Sequence, residues 1–299
     1  MNNTEQQPTT SFLRPEHIAP IHNLNLRAKL IVEGTIAGIH RSPYHGFSAE
    51  FFEYRPYLPG EATRFIDWRK YARSDRTVVR LFEDETNLYA HLLLDKSASM
   101  RFRSSAPMSK FDYGRTLCAA LAWVLIRQRD SVGLAAFDEE VRTFMPPRST
   151  NRQLKSIINR LDHTEAGEKT RCGTAIEWMA GLVGKRGMCV IVSDMFDDIE
   201  AIVHGLRHLR FKRQDVIVLW VVDPLEREFA HEAPLRIHDL ETDERIELDP
   251  RVASTYFNQG LSRHREELER ACGDLRVDLD YVYTDEPFQK ALLRVLQKR

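Results

Sequence analysis

Five oxygen-bearing side chains lie where the sequence pattern places the ends of buried elements: Asp95, Ser97, Ser99, Thr174 and Asp194. The run D-K-S-A-S at 95–99 spaces its polar groups two residues apart, so that alternate side chains can face one point. Carboxylates and hydroxyls are hard oxygen donors, which suit Mg²⁺ or Mn²⁺ in an octahedral shell that retains several waters. Because hydroxyl ligands carry no charge, the ion would attract a further anionic oxygen. The pattern therefore predicts a metal site that a partner protein completes.

The elements that must position these residues alternate between strands and helices from residue 87 onward. Apolar runs predict strands at 88–94, 131–137, 188–193, 215–222 and 276–284. Patterns of helical period predict helices at 111–129, 151–161, 174–183, 198–210, 251–271 and 286–298. Such alternation is typical of parallel βαβ units with right-handed crossovers, which build a doubly wound α/β sheet with helices on both faces. Ligands of such sheets bind at the carboxyl ends of the strands, where Asp95 and Asp194 are predicted to lie.

The remaining segments divide the chain into three parts. Residues 1–15 have the Gln, Asn, Thr and Pro composition of a flexible tail. Residues 16–86 are predicted to form a smaller N-terminal subdomain, with a helix at 18–39 followed by short strands and turns in an aromatic, basic, Pro- and Gly-containing stretch. Residues 87–299 are predicted to be the α/β domain, and period-two alternation at 235–248 predicts a hairpin within it.

Charge and cysteine content exclude several classes of protein. The chain of 299 residues has 43 Lys and Arg against 44 Asp and Glu, a net charge of -1, which excludes a surface dominated by attraction to nucleic acid or anionic membranes. Its 4 cysteines are scattered, which predicts reduced, buried thiols rather than a disulfide framework. The polar N-terminus does not resemble a signal peptide, and no window has the run of about 18 apolar residues that a membrane span needs. We therefore expect a cytoplasmic protein.

The spacing of the oxygen-bearing residues resembles a known metal site. Asp95-x-Ser97-x-Ser99, followed by Thr174 and by Asp194 after an apolar strand, is similar to the metal-ion-dependent adhesion site of von Willebrand factor A domains. The resemblance implies that Ser97, Ser99 and Thr174 coordinate Mg²⁺ or Mn²⁺ directly. It implies that the two aspartates act directly or through water, and that an Asp or Glu of a partner completes the shell.

The loop T-E-A-G-E-K-T-R-C-G-T at 164–174 offers a second threonine, Thr170, for the threonine position of this motif. Gly173-Thr174 stands immediately before an apolar helical run and fits the motif better. The sequence alone leaves this choice open.

Segments on both sides of the motif resemble the bacterial family called domain of unknown function 58. The similarity is carried by Gly60-Glu61 and Ile66, by Asp223-Pro224, by Asp239-Leu240-Glu241-Thr242, by the closing TDEPF and LLRVLQKR, and by the signature residues Arg64, Asp67, Trp68 and Arg73. Many members carry membrane spans before this region, so this chain resembles the soluble subset. The family is usually encoded beside MoxR-type AAA+ ATPases, and the resemblance therefore implies such an ATPase as partner.

These observations favour a non-enzymatic, metal-dependent protein–protein interaction module that works with a MoxR-type ATPase in a chaperone or remodelling system. One alternative is nucleic-acid binding through the basic segment 55–80, in which Phe65, Trp68 and Tyr71 could stack on bases. Another is a metal-dependent hydrolase at the same oxygen site. The hydrolase needs a general base that the sequence does not identify, and a serine nucleophile would lack the G-x-S-x-G motif.

Overall fold

The structure, a computed structural model, describes residues 13–41, 54–56, 78–80, 88–167, 171–184, 186–227, 235–238, 245–248 and 250–298. The chain forms two compact units, one containing residues up to 41 together with 88 onward, and the other containing 42–87. The helix predicted at 18–39 as part of the N-terminal subdomain belongs instead to the unit that contains the large sheet. Most of the segment 55–80 and most of the 1–15 tail lie outside the described residues.

The elements of the chain are as follows. The helices are α1 (Pro15–Ile18), α2 (Leu24–Arg41), α3 (Lys110–Arg127), α4 (Asn151–Asp162), α5 (Cys172–Leu182), α6 (Ile199–Phe211), α7 (Pro224–Arg227), α8 (Pro250–Leu275) and α9 (Phe288–Gln297), with a 3-10 turn at Ser99–Arg101. The strands are β1 (Tyr54–Pro56), β2 (Val78–Arg80), β3 (Tyr89–Asp95), β4 (Ser131–Phe137), β5 (Val141–Arg148), β6 (Gly187–Ser193), β7 (Gln214–Val222), β8 (Leu235–His238), β9 (Arg245–Leu248) and β10 (Asp278–Tyr283). In the described ranges no helix combines the length and apolar character needed to cross a membrane.

The large sheet has six strands in the order β10-β7-β6-β3-β4-β5. All neighbours are parallel except β5, which pairs antiparallel with β4 at the edge. This confirms the predicted α/β class with a mainly parallel sheet, and the antiparallel pair β8–β9 confirms the hairpin. Strand β5 is not predicted from the sequence, because Pro146 and Pro147 argue against a strand. An edge strand tolerates them, since only one of its sides has to hydrogen-bond.

Helices cover both faces of the sheet because its strands are apolar on both sides. In β3 the side chains of Leu92 and Leu94 join a core formed with α2, α3, α4 and α9. The intervening Leu93 joins the opposite core, formed with α5, α6 and α8. All four cysteines are free and buried, as their scattered positions predicted. The alternation along β3 therefore specifies a doubly wound sheet rather than a sheet with one face exposed to water.

The order of the strands creates a switch point beside β3. The chain leaves β3 for β4 on one side, and β6 later pairs on the other side of β3. The register sets Leu94 opposite Val192, so the residues that follow them, Asp95 and Ser193, stand side by side at the carboxyl ends of the two strands. This crevice is where open α/β sheets bind their ligands.

Helices α5 and α6 cross at short distance, which requires glycine at the contact. A Cβ atom on Gly173 would lie 2.6 Å from both the carbonyl carbon and the Cβ of Ala201. On the same helix, a Cβ atom on Gly181 would meet no atom within 4 Å. Gly173 is therefore needed for the packing of the two helices, whatever role its neighbour Thr174 has.

We predict that Gly173→Ala lowers the free energy of unfolding by about 1–3 kcal/mol, because the backbone of α6 has to move to admit the methyl group. The matched change Gly181→Ala should leave stability equal or raise it by up to about 1 kcal/mol, since alanine favours helix and the space is open. Urea unfolding of both variants measures the difference. Equal stability of the two variants would contradict the close crossing.

Candidate functional site

The centre of the site is the carboxylate of Asp95, the last residue of β3. Its side chain is fully buried. The Ser97 backbone N–H donates to Oδ1 at 2.8 Å, and the Ser193 hydroxyl donates to Oδ2 at 2.6 Å. Burial, followed by repulsion from the Asp194 carboxylate, raises the pKa of Asp95 to about 7. Asp95 is thus an acid held at the crevice by two neutral donors.

Two serine hydroxyls stand beside it. The Oγ atoms of Ser97 and Ser99 lie 3.0 Å apart. Ser97 is fully buried, whereas Ser99 is partly exposed at the start of the 3-10 turn, so the site opens to solvent on the serine side. The loop is fixed to the next strand, because the Lys96 N–H donates to the Phe137 carbonyl at 2.8 Å and the Lys96 ammonium pairs with Asp138 at 2.7 Å. The structure therefore brings together the three polar groups of the D-x-S-x-S run.

The end of β6 supplies the second wall. The Ser193 hydroxyl, besides donating to Asp95, accepts from the Met195 N–H at 2.9 Å. Met195 has a φ of 55°, a left-handed conformation that residues other than Gly and Asn seldom adopt. It is buried, and its carbonyl lies 2.9 Å from His264 Nε2 and accepts from the Asp197 N–H at 3.1 Å. These contacts maintain a strained turn directly after Asp194.

Asp194 is paired with a lysine that the sequence analysis did not select. The Lys110 ammonium, at the first residue of α3, lies 2.8 Å from Asp194 Oδ2 and 2.6 Å from Glu226 Oε1. The side chain of Lys110 is 1% exposed and that of Asp194 is 0% exposed. The rings of Phe196 and Phe102 have their centres 5.2 Å and 5.8 Å from the ammonium. Asp194, Lys110 and Glu226 form a buried charged triad next to Asp95.

The charges of the triad depend on one another. Burial alone lowers the pKa of Lys110, but attraction by Asp194 and Glu226 outweighs burial and holds that pKa above its ordinary value. Lys110 is therefore a permanent cation at neutral pH. Its position supports two carboxylates that would otherwise be buried with no opposite charge.

Glu226 is fixed by the capping of the short helix α7. Its Oε2 accepts from the Asp223 N–H at 2.9 Å, while Asp223 Oδ1 accepts from the Leu225 N–H at 3.0 Å. This reciprocal arrangement is a capping box, and the intervening Pro224 is favoured at the first helical position. Asp223 also accepts from the Ser104 N–H at 3.0 Å. The triad is thereby connected to the end of β7 and to the loop before α3.

Thr174 is exposed to solvent in the first turn of α5. The first residue of this helix, Cys172, lies close enough to Asp95 to be affected by its charge. Burial, followed by the negative charge of Asp95, raises the pKa of the Cys172 thiol well above its ordinary value. The Asp197 carboxylate accepts from the Gly173 N–H at 2.9 Å and holds this helix end to the loop after β6. Thr174 takes no part in the described hydrogen bonds that connect Asp95, Ser97 and Ser99.

The oxygen donors present fit a hard cation such as Mg²⁺ or Mn²⁺ better than Zn²⁺. Among the described residues, no group of three or more His, Cys, Asp or Glu side chains is arranged to hold a metal ion. Any ion at Asp95 would therefore rely on hydroxyls and water, which Mg²⁺ and Mn²⁺ accept and Zn²⁺ seldom uses in structural sites. Asp95, Ser97 and Ser99 are the residues that could hold it directly, and Asp194 is already engaged by Lys110.

Lys110, Glu226 and Ser193 complete the site, and the sequence analysis assigned none of them a role. One signal was available for Lys110, since a lysine in the first turn of a helix opposes the helix dipole and needs a compensating acid. The rival threonine Thr170 and the signature residues Arg64, Asp67, Trp68 and Arg73 lie outside the described residues.

The fold and the site together define a class: a doubly wound α/β protein with a candidate oxygen-ligand site at the switch point of its sheet. The chain belongs to the family described as protein of unknown function DUF58, which matches residues 53–267. The family resemblance inferred from the sequence is thereby confirmed. An uncharacterised protein of Mycobacterium tuberculosis strain H37Rv is 27% identical over 283 residues, which cover 90% of this chain and 87% of that protein. An uncharacterised protein of Mycobacterium bovis matches to the same extent.

Solved structures similar to this chain include the conserved hypothetical protein BatB from Bacteroides thetaiotaomicron, with a TM-score of 0.47 and 18% identity over 71% of this chain and 96% of that one. An aerotolerance-related membrane protein from Bacteroides fragilis NCTC 9343 has a TM-score of 0.45 and 19% identity over 71% and 100%. The SpRpn10 VWA domain has a TM-score of 0.44 and 10% identity over 70% and 95%.

We predict that Lys110→Met lowers the free energy of unfolding by about 3–5 kcal/mol, because it leaves two buried carboxylates without a counter-charge. The triple variant Lys110→Met/Asp194→Asn/Glu226→Gln removes all three charges at similar shape and should recover most of that loss. Urea unfolding at neutral pH measures both. A loss below about 1 kcal/mol in Lys110→Met would show that the triad is not a coupled charged unit.

Proposed function

We propose that this protein is a non-enzymatic interaction module that binds a carboxylate of a partner protein through Mg²⁺ or Mn²⁺ at Asp95, Ser97 and Ser99, with Thr174 at the rim and Asp194 in the surrounding shell. One observation carries the proposal. Asp95 is a fully buried carboxylate whose described hydrogen-bond donors, from Ser97 and Ser193, are neutral, and it lies at the switch-point crevice beside two hydroxyls 3.0 Å apart. A buried carboxylate is costly without a cation, and a divalent ion in this crevice would supply one.

The same donor set explains why a partner is needed. Asp95 carries a single negative charge, and the serine hydroxyls carry none. An ion held by these groups keeps a net positive charge that water does not neutralise. An Asp or Glu side chain presented by another protein has the charge and the hard oxygen donor that such an ion prefers. When bound, the ion supplies the bridge, while the chain supplies the pocket and its orientation.

For the partner, we propose a MoxR-type AAA+ ATPase, acting with this protein in a chaperone or remodelling system in the cytoplasm. The support is the family relationship, since members are usually encoded beside such ATPases, together with the DUF58 match over residues 53–267. The free, buried cysteines are compatible with a reducing compartment.

The hydrolase alternative gains no support from the geometry of His264. His264 directs Nε2 to the Met195 carbonyl at 2.9 Å, where it serves the backbone turn rather than a reacting water. The nucleic-acid alternative stays a prediction, because most of the segment 55–80 lies outside the described residues.

The proposal predicts saturable, one-site binding of Mn²⁺ or Mg²⁺ in a calorimetric titration. Asp95→Ala and Ser97→Ala should each abolish this binding or weaken it by about 100-fold, since each removes a ligand from a small set. Thr150→Ala is a matched control for hydroxyl loss. Thr150 caps α4, directly after a strand whose Arg148 pairs with Val132 at the opposite end of the sheet.

Thr150→Ala should lower stability by about 1 kcal/mol and leave metal binding unchanged. Metal binding that survives Asp95→Ala in a folded protein would contradict the proposed site. Equal losses in all three variants would show that the titration reports stability rather than ligand removal.

A further inference from the structure

We propose that Lys110 acts as a resident cation that removes Asp194 from the ligand set of the metal, so that the ion depends on a single carboxylate of this chain and on the partner for the next one. This inference rests on the proposed function and specifies which carboxylate of the same site is available to the metal. Lys110 is a positioning residue, since it acts through Asp194.

Asp194 has a cationic partner and Asp95 has none among the described residues. Oδ2 lies 2.8 Å from the Lys110 ammonium, and Oδ1 accepts from the Phe196 N–H at 3.3 Å. Both oxygens of Asp95 also accept hydrogen bonds, but from the neutral Ser97 N–H and Ser193 hydroxyl. Of the two aspartates that the motif supplies, one is free of a cationic partner among the described residues and the other is paired.

Glu226 holds the Lys110 ammonium in place opposite Asp194. Glu226 Oε1 lies 2.6 Å from the ammonium, and Glu226 is itself fixed by the N–H of Asp223. An ammonium between two buried carboxylates loses both attractions if it moves toward solvent, so it does not release Asp194 readily. A divalent ion therefore meets an aspartate that is already neutralised.

The consequence is a strong coupling between metal and partner. With Asp194 engaged, an ion at Asp95 has one anionic ligand from this chain, and its affinity falls with the number of charged ligands. The carboxylate of the partner then contributes a larger share of the binding. In isolation the protein should hold the ion weakly, and the complex should hold it tightly.

The test compares Mn²⁺ affinity, measured by calorimetry and by electron paramagnetic resonance with Mn²⁺ alone, in four variants. Lys110→Met/Glu226→Gln frees Asp194. The wild-type triad has one positive and two negative groups, a net charge of -1, and this variant keeps the same net charge with Asp194 as the only charged member. A gain in affinity therefore reports the released ligand rather than the general field. We expect Mn²⁺ to bind about tenfold more tightly or better.

Two controls isolate Asp194. Adding Asp194→Asn to that variant should return the affinity to the wild-type level. Asp194→Asn alone, with Lys110 retained by Glu226, should change Mn²⁺ affinity by less than about threefold, while Asp95→Asn should lose it. Because these readouts measure metal binding in folded protein, a purely structural role for Lys110 would not produce them. Thermal unfolding with and without Mn²⁺ confirms that each variant is folded and reports the same order of affinities.

The outcomes separate this inference from the proposed function. Equal loss of Mn²⁺ binding in Asp194→Asn and Asp95→Asn would overturn the inference and leave the metal site standing. No gain in Lys110→Met/Glu226→Gln would overturn it as well. If the wild-type protein binds no Mn²⁺ but the double variant does, the role of Lys110 stands and the proposed function fails. Absence of binding in both would overturn both.

Discussion

Two carboxylates are buried side by side at the switch point of the sheet, and the rest of the site follows from how their charges are tolerated. The negative charge of Asp194 contributes to the raised pKa of Asp95, so the two carboxylates repel one another electrostatically. The protein treats them differently. Asp194 is paired with a buried ammonium, whereas Asp95 accepts hydrogen bonds from the Ser97 N–H and the Ser193 hydroxyl and has no cationic partner among the described residues. The unequal treatment leaves one carboxylate as a ligand and makes the other a structural support.

The fold makes this arrangement feasible because it collects strand ends and helix starts at one edge. Strands β3 and β6 end in Asp95 and Ser193, while helices α3, α5, α6 and α7 all begin in the loops that follow strands or lead back to the same edge. The positive ends of helix dipoles stabilise carboxylates. Asp198 caps α6 by accepting from the Ala201 N–H at 2.9 Å, and Asp223 caps α7 in the same manner. The acids of this edge thus serve the backbone as well as the site.

The parallel strands and the positions of Asp95, Ser97 and Ser99 could be predicted from the sequence. Lys110 and β5 could not, because both depend on contacts between residues that are distant in the chain. The apolar runs predicted β4 at its observed bounds and the other parallel strands to within two residues, because burial on both faces leaves a continuous apolar signal. The spacing of Asp95, Ser97 and Ser99 predicted that their polar groups lie close together, and the hydrogen bonds from the Ser97 N–H to Asp95 and between the two serine hydroxyls place them so. Lys110 escaped notice because it stands 84 residues from Asp194 and 116 from Glu226. Local patterns carry no information about which distant charges pair. The prolines of β5 hid a strand because only the tertiary pairing shows that this strand lies at the edge of the sheet, where prolines are tolerated.

A crystal structure of the protein grown with Mn²⁺, with anomalous scattering used to locate the ion, would show which carboxylate lies at the metal. The account predicts an anomalous peak bonded to the Ser97 and Ser99 hydroxyls beside Asp95, with Lys110 still paired to Asp194. An ion held by Asp194 with Lys110 displaced would contradict the role given to the lysine. A crevice that contains no manganese, in a crystal saturated with the ion and with a carboxylate such as acetate present, would contradict the metal site itself.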